Sequence, residues 1–317
     1  MVTEYIFFVV GIFLLVKSAD WIVDGASSLS RKLGVSSLII GLTIVAFGTS
    51  LPELIVNLFA VSNGNGEIAF GNIVGSNIAN VLLVLGLTAM VGKVKITNNT
   101  VWKEIPFALL AAFVFFVLSG KILFGGENLF TMGDGLVLLS LFSIFLYYAF
   151  QRMKASRKNI PFPEDSKETN TSIIFSLIFG LVGIYFGGKF VVDGAVFIAG
   201  QLGLSEFLIS ATIIAIGTSL PELVVCVIAA LRRNVDLAVG NIIGSNIFNI
   251  LWVFGVIPFF GVLRIPEFVL FDIGVMFCAT LLLFVFMFLG KHELNKKDGF
   301  VFVLFYVLYI WFIIVRG

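Results

Sequence analysis

Charge is what this chain has least of. Only 12% of its 317 residues are Asp, Glu, Lys or Arg, against about a quarter in an ordinary soluble domain. No polar stretch is long enough to form a water-soluble domain of its own. The formal net charge is +1, so no basic surface is offered to nucleic acid. With one histidine, His292, and two cysteines, Cys226 and Cys278, a His-built zinc or haem centre is excluded. Both cysteines sit in apolar segments and read as small core residues rather than as a disulfide framework. The near match to a phosphate-binding loop at Gly183–Lys189 has Phe190 where Ser or Thr is required and lies in an apolar run, so it is spurious. No intramembrane Ser–His or paired-Asp protease arrangement appears. Neither an enzyme nor a bound cofactor is expected, and no obligate protein partner is evident.

Hydrophobic residues make up 59% of the chain. A bilayer core takes roughly 20 apolar residues per helix, and ten segments qualify: 4–24, 36–61, 68–91, 105–119, 132–150, 172–198, 206–230, 237–260, 267–289 and 299–315. The runs are long and do not alternate, so they are helices and not barrel strands. The first has no basic flank at its start and is matched later in the chain, so it reads as a span and not as a cleaved signal. Loops after odd-numbered segments hold fifteen Lys and Arg, and the opposite side holds three. The excess of positive charge belongs in the cytoplasm. The expectation is therefore a multi-pass protein of the cell membrane, its solvent the lipid bilayer, with both termini extracellular. Gln151–Thr171, with both signs of charge and two prolines, reads as a cytoplasmic linker.

The polar residues that remain are repeated. GTSLPEL occurs at Gly48–Leu54 and again at Gly217–Leu223; GNIVGSNIAN at Gly71–Asn80 returns as GNIIGSNIFN at Gly240–Asn249. One offset of 169 residues aligns everything from Asp24 to Asn80 with Asp193 to Asn249 without a gap. Five segments per half is an odd number, so the second half enters the membrane from the opposite side. The fold expected is all-α and integral to the membrane: ten transmembrane helices as two inverted five-helix repeats. Residues 1–150 form the first repeat, 151–171 the linker and 172–317 the second. Inverted repeats of this kind mark transporters, with the site at the midplane between them.

Each repeat offers one chemistry. Pro52 and Pro221 lack an amide hydrogen and displace the carbonyl four residues back. Thr49 and Ser50 stand four and three residues before Glu53, so on a continuous helix all three share a face; Thr218, Ser219 and Glu222 repeat the set. Ser76 and Asn80, like Ser245 and Asn249, are four apart and stack. Gly71, Gly75, Gly240 and Gly244 give small-xxx-small spacings that allow close helix approach. The donor set is oxygen only, which suits calcium, sodium or magnesium rather than zinc or copper. Two carboxylates neutralise one Ca2+; magnesium, which keeps its water and wants strict octahedral geometry, fits less well. Singly, the hydroxyls also read as back-bonded to their own helix or as interhelical glue, and Asn80 and Asn249 as either ligand or glue. Lys17 and Lys189 are the intramembrane cations that would make Glu53 and Glu222 a structural ion pair. Asp24 and Asp193 read as helix-end or interfacial residues. Asn72, Asn77, Asn241 and Asn246 read as bonding backbone at broken helix starts.

These motifs resemble the alpha repeats of the cation/calcium exchanger superfamily, and most closely its prokaryotic sodium/calcium exchangers. The resemblance covers nearly the whole chain. It implies antiport by alternating access, with Ca2+ moving one way and Na+ the other as the transported ions. It implies that Glu53 and Glu222 bind the ions, surrounded by Thr49, Ser50, Ser76, Asn80, Thr218, Ser219, Ser245 and Asn249 and by the backbone carbonyls of Ala46 and Ala215. Potassium-dependent relatives carry Asp at the position of Asn249; Asn here argues against potassium co-transport. A Ca2+/H+ exchanger, or a K+-dependent Na+/Ca2+ exchanger, on the same scaffold is the alternative.

Overall fold

The computed structural model describes residues 2–121, 126–157, 169–202, 217–266, 269–290 and 292–316. Nine helices among the described residues are long and apolar enough to cross a bilayer. They are α1 (Val2–Leu33), α2 (Ser37–Ser62), α3 (Gly66–Val91), α4 (Thr100–Ser119), α5 (Met132–Arg157), α6 (Asn170–Gln201), α8 (Val235–Phe259), α9 (Val269–Leu289) and α10 (Lys296–Arg316). Between α6 and α8 lies the shorter apolar helix α7 (Leu220–Leu231). It is the described part of the expected seventh segment; residues 203–216 of that region fall outside the described residues. So does most of the linker, whose first residues prolong α5.

The helices sort by burial. The most apolar stretches of α3 and α8 are 78% and 83% buried, against 22–56% for the other spans. These two carry the GNxxGSN motifs and form the centre. Large apolar side chains elsewhere face outward, among them Phe13, Phe59 and Trp311, each more than 60% exposed. Such a surface is a liability in water and the expected one in lipid. Two short antiparallel ribbons tie the halves together. β1 (Val94–Lys95) pairs with β4 (Glu293–Leu294), and β2 (Leu129–Phe130) pairs with β3 (Leu263–Arg264). The first joins the loops after α3 and α9, the second those after α4 and α8. Loops that the parity argument puts on one side are thus bonded to each other, at opposite ends of the bundle.

Glycine sets the closest approach. A Cβ on Gly240 would lie 2.3 Å from the Leu38 carbonyl oxygen, and one on Gly244 2.6 Å from that of Leu42. In return, a Cβ on Gly41 would meet the Leu237 carbonyl at 2.4 Å. The α2 and α8 backbones therefore touch, as small-residue stripes permit in lipid, where packing drives association. The spacing argument holds here for Gly240 and Gly244. At Gly71 and Gly75 no such contact occurs among the described residues; the repeat-related partner segment, 207–215, lies outside them.

The reading of Asp24 as a helix-end residue is corrected. α1 runs on to Leu33 without a break, and Asp24 sits inside it, ion-paired to Arg232, which also holds Asp20 at 2.6 Å. Asp193 likewise lies inside α6 and is exposed. Cys278 is exposed and not a core residue; Cys226 is fully buried as expected.

Gly240→Ala should force α2 and α8 apart, because the obstruction is backbone; a loss of about 1–3 kcal/mol is expected, read as thermal unfolding in detergent. Gly274→Ala, where a Cβ meets nothing within 4 Å, should be neutral or mildly stabilising. At the first ribbon, Lys93 and then Lys95 hold the Glu293 carboxyl below the usual carboxylate range. That contribution is complete above the ordinary carboxylate pKa and is lost as pH falls through the lowered value. Exchange of the Ile96 amide, bonded to the His292 carbonyl at 3.0 Å, should accelerate modestly there.

Candidate functional site

Each GTSLPEL copy is a helix break. Ser50 (φ −87°, ψ −1°) ends one helical stretch, and Ser50 and Ser219 (φ −89°, ψ 3°) each stand at the N-terminal cap of a stretch that starts at Leu51 and Leu220. Proline in the first turn loses no hydrogen bond there and pre-sets φ. Glu53 and Glu222 follow in the same first turn, at the positive end of the helix dipole, where a carboxylate is favoured. Thr49 and Ser50 therefore do not share one continuous helix face with Glu53, as the four-residue spacing suggested. The break turns them into the same buried volume instead.

The central helices deform at the matching place. α3 widens into a π-turn at Asn80–Val84 and α8 at Phe248–Val253, a deformation common at functional sites. Asn80 and Asn249 lie at or near the start of these turns. Thr49, Ser50, Glu53, Ser76, Asn80, Ser219, Glu222, Ser245, Asn249 and Ala46 are all fully buried. Thr218 is half-buried and lines two cavities. Ala215 lies outside the described residues.

The buried groups bond across the repeats. The Thr49 hydroxyl meets Asn241 Oδ1 and Ser245 Oγ, each at 3.2 Å, and Ser245 Oγ donates to Glu222 Oε1 at 3.4 Å. Asn249 Nδ2 donates to Ser76 Oγ at 3.3 Å. Asn80 Nδ2 donates to Asn246 Oδ1 at 3.1 Å, and Asn246 Nδ2 to the Asn77 carbonyl at 3.3 Å. The Ala46 carbonyl accepts from the Ser50 amide at 3.0 Å and from the Thr49 hydroxyl at 3.4 Å.

What the protein leaves unbonded is as informative. Both Glu53 oxygens, Glu222 Oε2, the Ser50 and Ser219 hydroxyls, and Oδ1 of Asn80 and of Asn249 have no hydrogen-bond partner among the described residues. Each such buried group costs about 1–3 kcal/mol, and native interiors hold few of them. Seven such atoms, all of them on the three residue pairs related by the repeat, call for a further partner. Among the described residues neither Lys17 nor Lys189 pairs with these acids, so the ion-pair reading fails. Glu53 and Glu222 lie within electrostatic reach of each other. Among the described residues no three His, Cys, Asp or Glu converge, so a cation here would need hydroxyl, amide or carbonyl oxygens beside the two carboxylates.

The reading of Asn72, Asn77, Asn241 and Asn246 as backbone-bonding residues is largely corrected. α3 and α8 are not broken at these positions. Asn72 Nδ2 donates to Asn57 Oδ1 at 3.1 Å, and Asn241 Nδ2 to Cys226 Sγ at 3.5 Å; only Asn246 reaches backbone, in the opposite repeat. Asn57 and Cys226 were missed as polar partners. Both stand four residues after the buried glutamate, a spacing that would have found them, but the repeat pairs an amide with a thiol and hides the correspondence.

A family profile described as sodium/calcium exchanger protein matches residues 3–151 and 172–315. The putative antiporter CaxA of Alkalimonas amylolytica is 38% identical over 98% of both chains. The sodium/calcium exchanger MaX1 of Methanosarcina acetivorans is 33% identical over 97% of both. Among solved structures, the sodium-calcium exchanger NCX_Mj superposes with a TM-score of 0.82 at 33% identity, over 98% of each chain.

Thr49→Val keeps the side-chain shape and removes both bonds to α8. A destabilisation of about 1–3 kcal/mol is expected, measured by chemical unfolding in detergent. Thr43→Val, which removes only a back-bond to Ile39 within its own helix, should change stability by well under half of that.

Proposed function

The chain belongs to the sodium/calcium exchanger protein family, and from that premise we propose that this transporter exchanges Ca2+ for Na+ by alternating access. Glu53 and Glu222 are the principal ligands. Thr49, Ser50, Ser76, Asn80, Thr218, Ser219, Ser245 and Asn249, with the carbonyls of Ala46 and Ala215, complete an oxygen cage used by both ions. The observation that carries this reading is the set of unpartnered acceptors around two buried carboxylates. A hard cation satisfies them together, and two negative charges balance one Ca2+ or two Na+. Because the ions share ligands, they exclude each other, which is the condition for exchange.

Residues 1–150 and 172–317 act as the inverted halves, with 151–171 as their cytoplasmic linker and both termini outside. The surroundings of the two motifs differ in a way that supports alternation: Thr49 is hydrogen-bonded into the α8 network, whereas its repeat mate Thr218 borders cavities. Two like elements in unlike states are what two facing conformations require.

Calcium uptake into proteoliposomes, driven by a sodium gradient at fixed pH, should be seen. Uptake driven by a proton gradient and indifferent to sodium would make the chain a Ca2+/H+ exchanger instead. Glu53→Gln and Glu222→Gln should each lower the exchange rate more than a hundredfold, since losing one charged ligand of a buried ion costs about 3 kcal/mol or more. Near-normal exchange in either would remove that residue from the cage.

A further inference from the structure

An ion-paired trio lies outside the cage and recurs at both ends of the bundle. Arg316, at the end of α10, donates from Nη1 and Nη2 to the two Asp272 oxygens of α9 at 3.1 and 2.9 Å, and Tyr309 faces the same acid. Between α4 and α5, Arg152 Nε lies 3.4 Å from Glu104 Oε1, and the Tyr148 hydroxyl donates to that same oxygen. Glu104 follows β1 and Asp272 follows β3, so the two trios stand at opposite ends. In both, the acid is near the start of the fourth helix of its half and the arginine near the end of the fifth. The 169-residue offset does not align them, which is why the repeat motifs give no hint of them.

Each arginine lines a cavity. Asp272 and Arg316 border one of about 410 Å3 whose inner wall includes Asn72 and Thr218. Arg152 borders one of about 230 Å3 with Asp236 and Thr97, which reaches α2 at Leu38 and Ile39 and touches no GTSLPEL residue. The larger cavity thus joins an ion pair at one end of the bundle to the motif at its centre.

We infer that the Asp272–Arg316 trio, whose cavity reaches Thr218, sets the electrostatic potential at one mouth of the cation route and tunes Ca2+ against Na+ there. This rests on the exchange reading given above. The physical basis is charge number. A unit charge beside the route acts on Ca2+ with twice the energy it exerts on Na+, so a fold-change for Na+ is squared for Ca2+. At a separation near 10 Å the expected changes are roughly two- to fourfold for Na+ and four- to sixteenfold for Ca2+.

The test is side-specific kinetics of the full chain in oriented proteoliposomes. Asp272→Asn leaves a net positive mouth and should raise the KM for Ca2+ at the Arg316 face. Arg316→Gln leaves a net negative one and should lower it. The double variant should return close to wild type. Maximal rate and the KM at the opposite face should hold, and the shifts should shrink as inert salt is added. Glu104→Gln and Arg152→Gln, beside a cavity that touches no GTSLPEL residue, should leave the KM at both faces unchanged. Shifts of the same sign in Asp272→Asn and Arg316→Gln, or lower thermal stability with unchanged KM in both, would make their trio a helix staple only and overturn the inference. Wild-type protein that shows no sodium-driven uptake would instead overturn the exchange reading.

Discussion

Two carboxylates buried at the centre of an apolar bundle, with too few hydrogen bonds to satisfy them, govern the rest of this structure. Several unusual local features converge on that pair. The helix breaks at Ser50 and Ser219 place each glutamate in a first turn, beside free amide groups. The π-turns in α3 and α8 set Asn80 and Asn249 at the same level. The glycine contacts of α8 bring two backbones together so that Thr49 reaches Asn241 and Ser245. In a bilayer, broken helices survive only where protein or a wet cavity takes up the freed groups, and here both conditions are met.

The same arrangement suits hard cations better than soft ones. Hydroxyls, amides and carboxylates dominate it, and Cys226, its one soft neighbour, is bonded to the Asn241 amide and the Ala238 carbonyl. The central network is nearly symmetric in sequence but not in bonding: Asn249 reaches Ser76, whereas Asn80 reaches Asn246. Such inequality between repeat-related elements is what the proposed alternation requires. Charged groups elsewhere follow the same economy. Arg232, Arg152 and Arg316 are each paired with acids on neighbouring helices, as expected where an isolated charge is costly.

Much of this was legible in the sequence. Segment count followed from apolar length, inversion from an odd number of segments, and the buried polar residues at the centre from two repeated heptapeptides. Packing decided what could not be read. Asp24 looked like a helix end because Gly-Ala follows it, yet close contact with α6 carries α1 past that point. The four-residue spacing of Thr49 and Glu53 implied a continuous helix, and only the structure shows the turn at Ser50. Asn241 and Asn246 bond across the repeats, a long-range relation that local pattern cannot supply. The Glu104 and Asp272 trios escaped because the two copies drift out of register after Asn80.

The central claim is that one hard cation sits between Glu53 and Glu222 and takes up the acceptors the protein leaves unbonded. Anomalous diffraction from crystals grown with calcium and without sodium tests it most directly. The account predicts a peak about 2.3–2.6 Å from oxygens of both glutamates, with hydroxyl, amide or carbonyl oxygens filling the remaining positions. A calcium peak elsewhere, or two glutamates turned away from a shared centre, would contradict it.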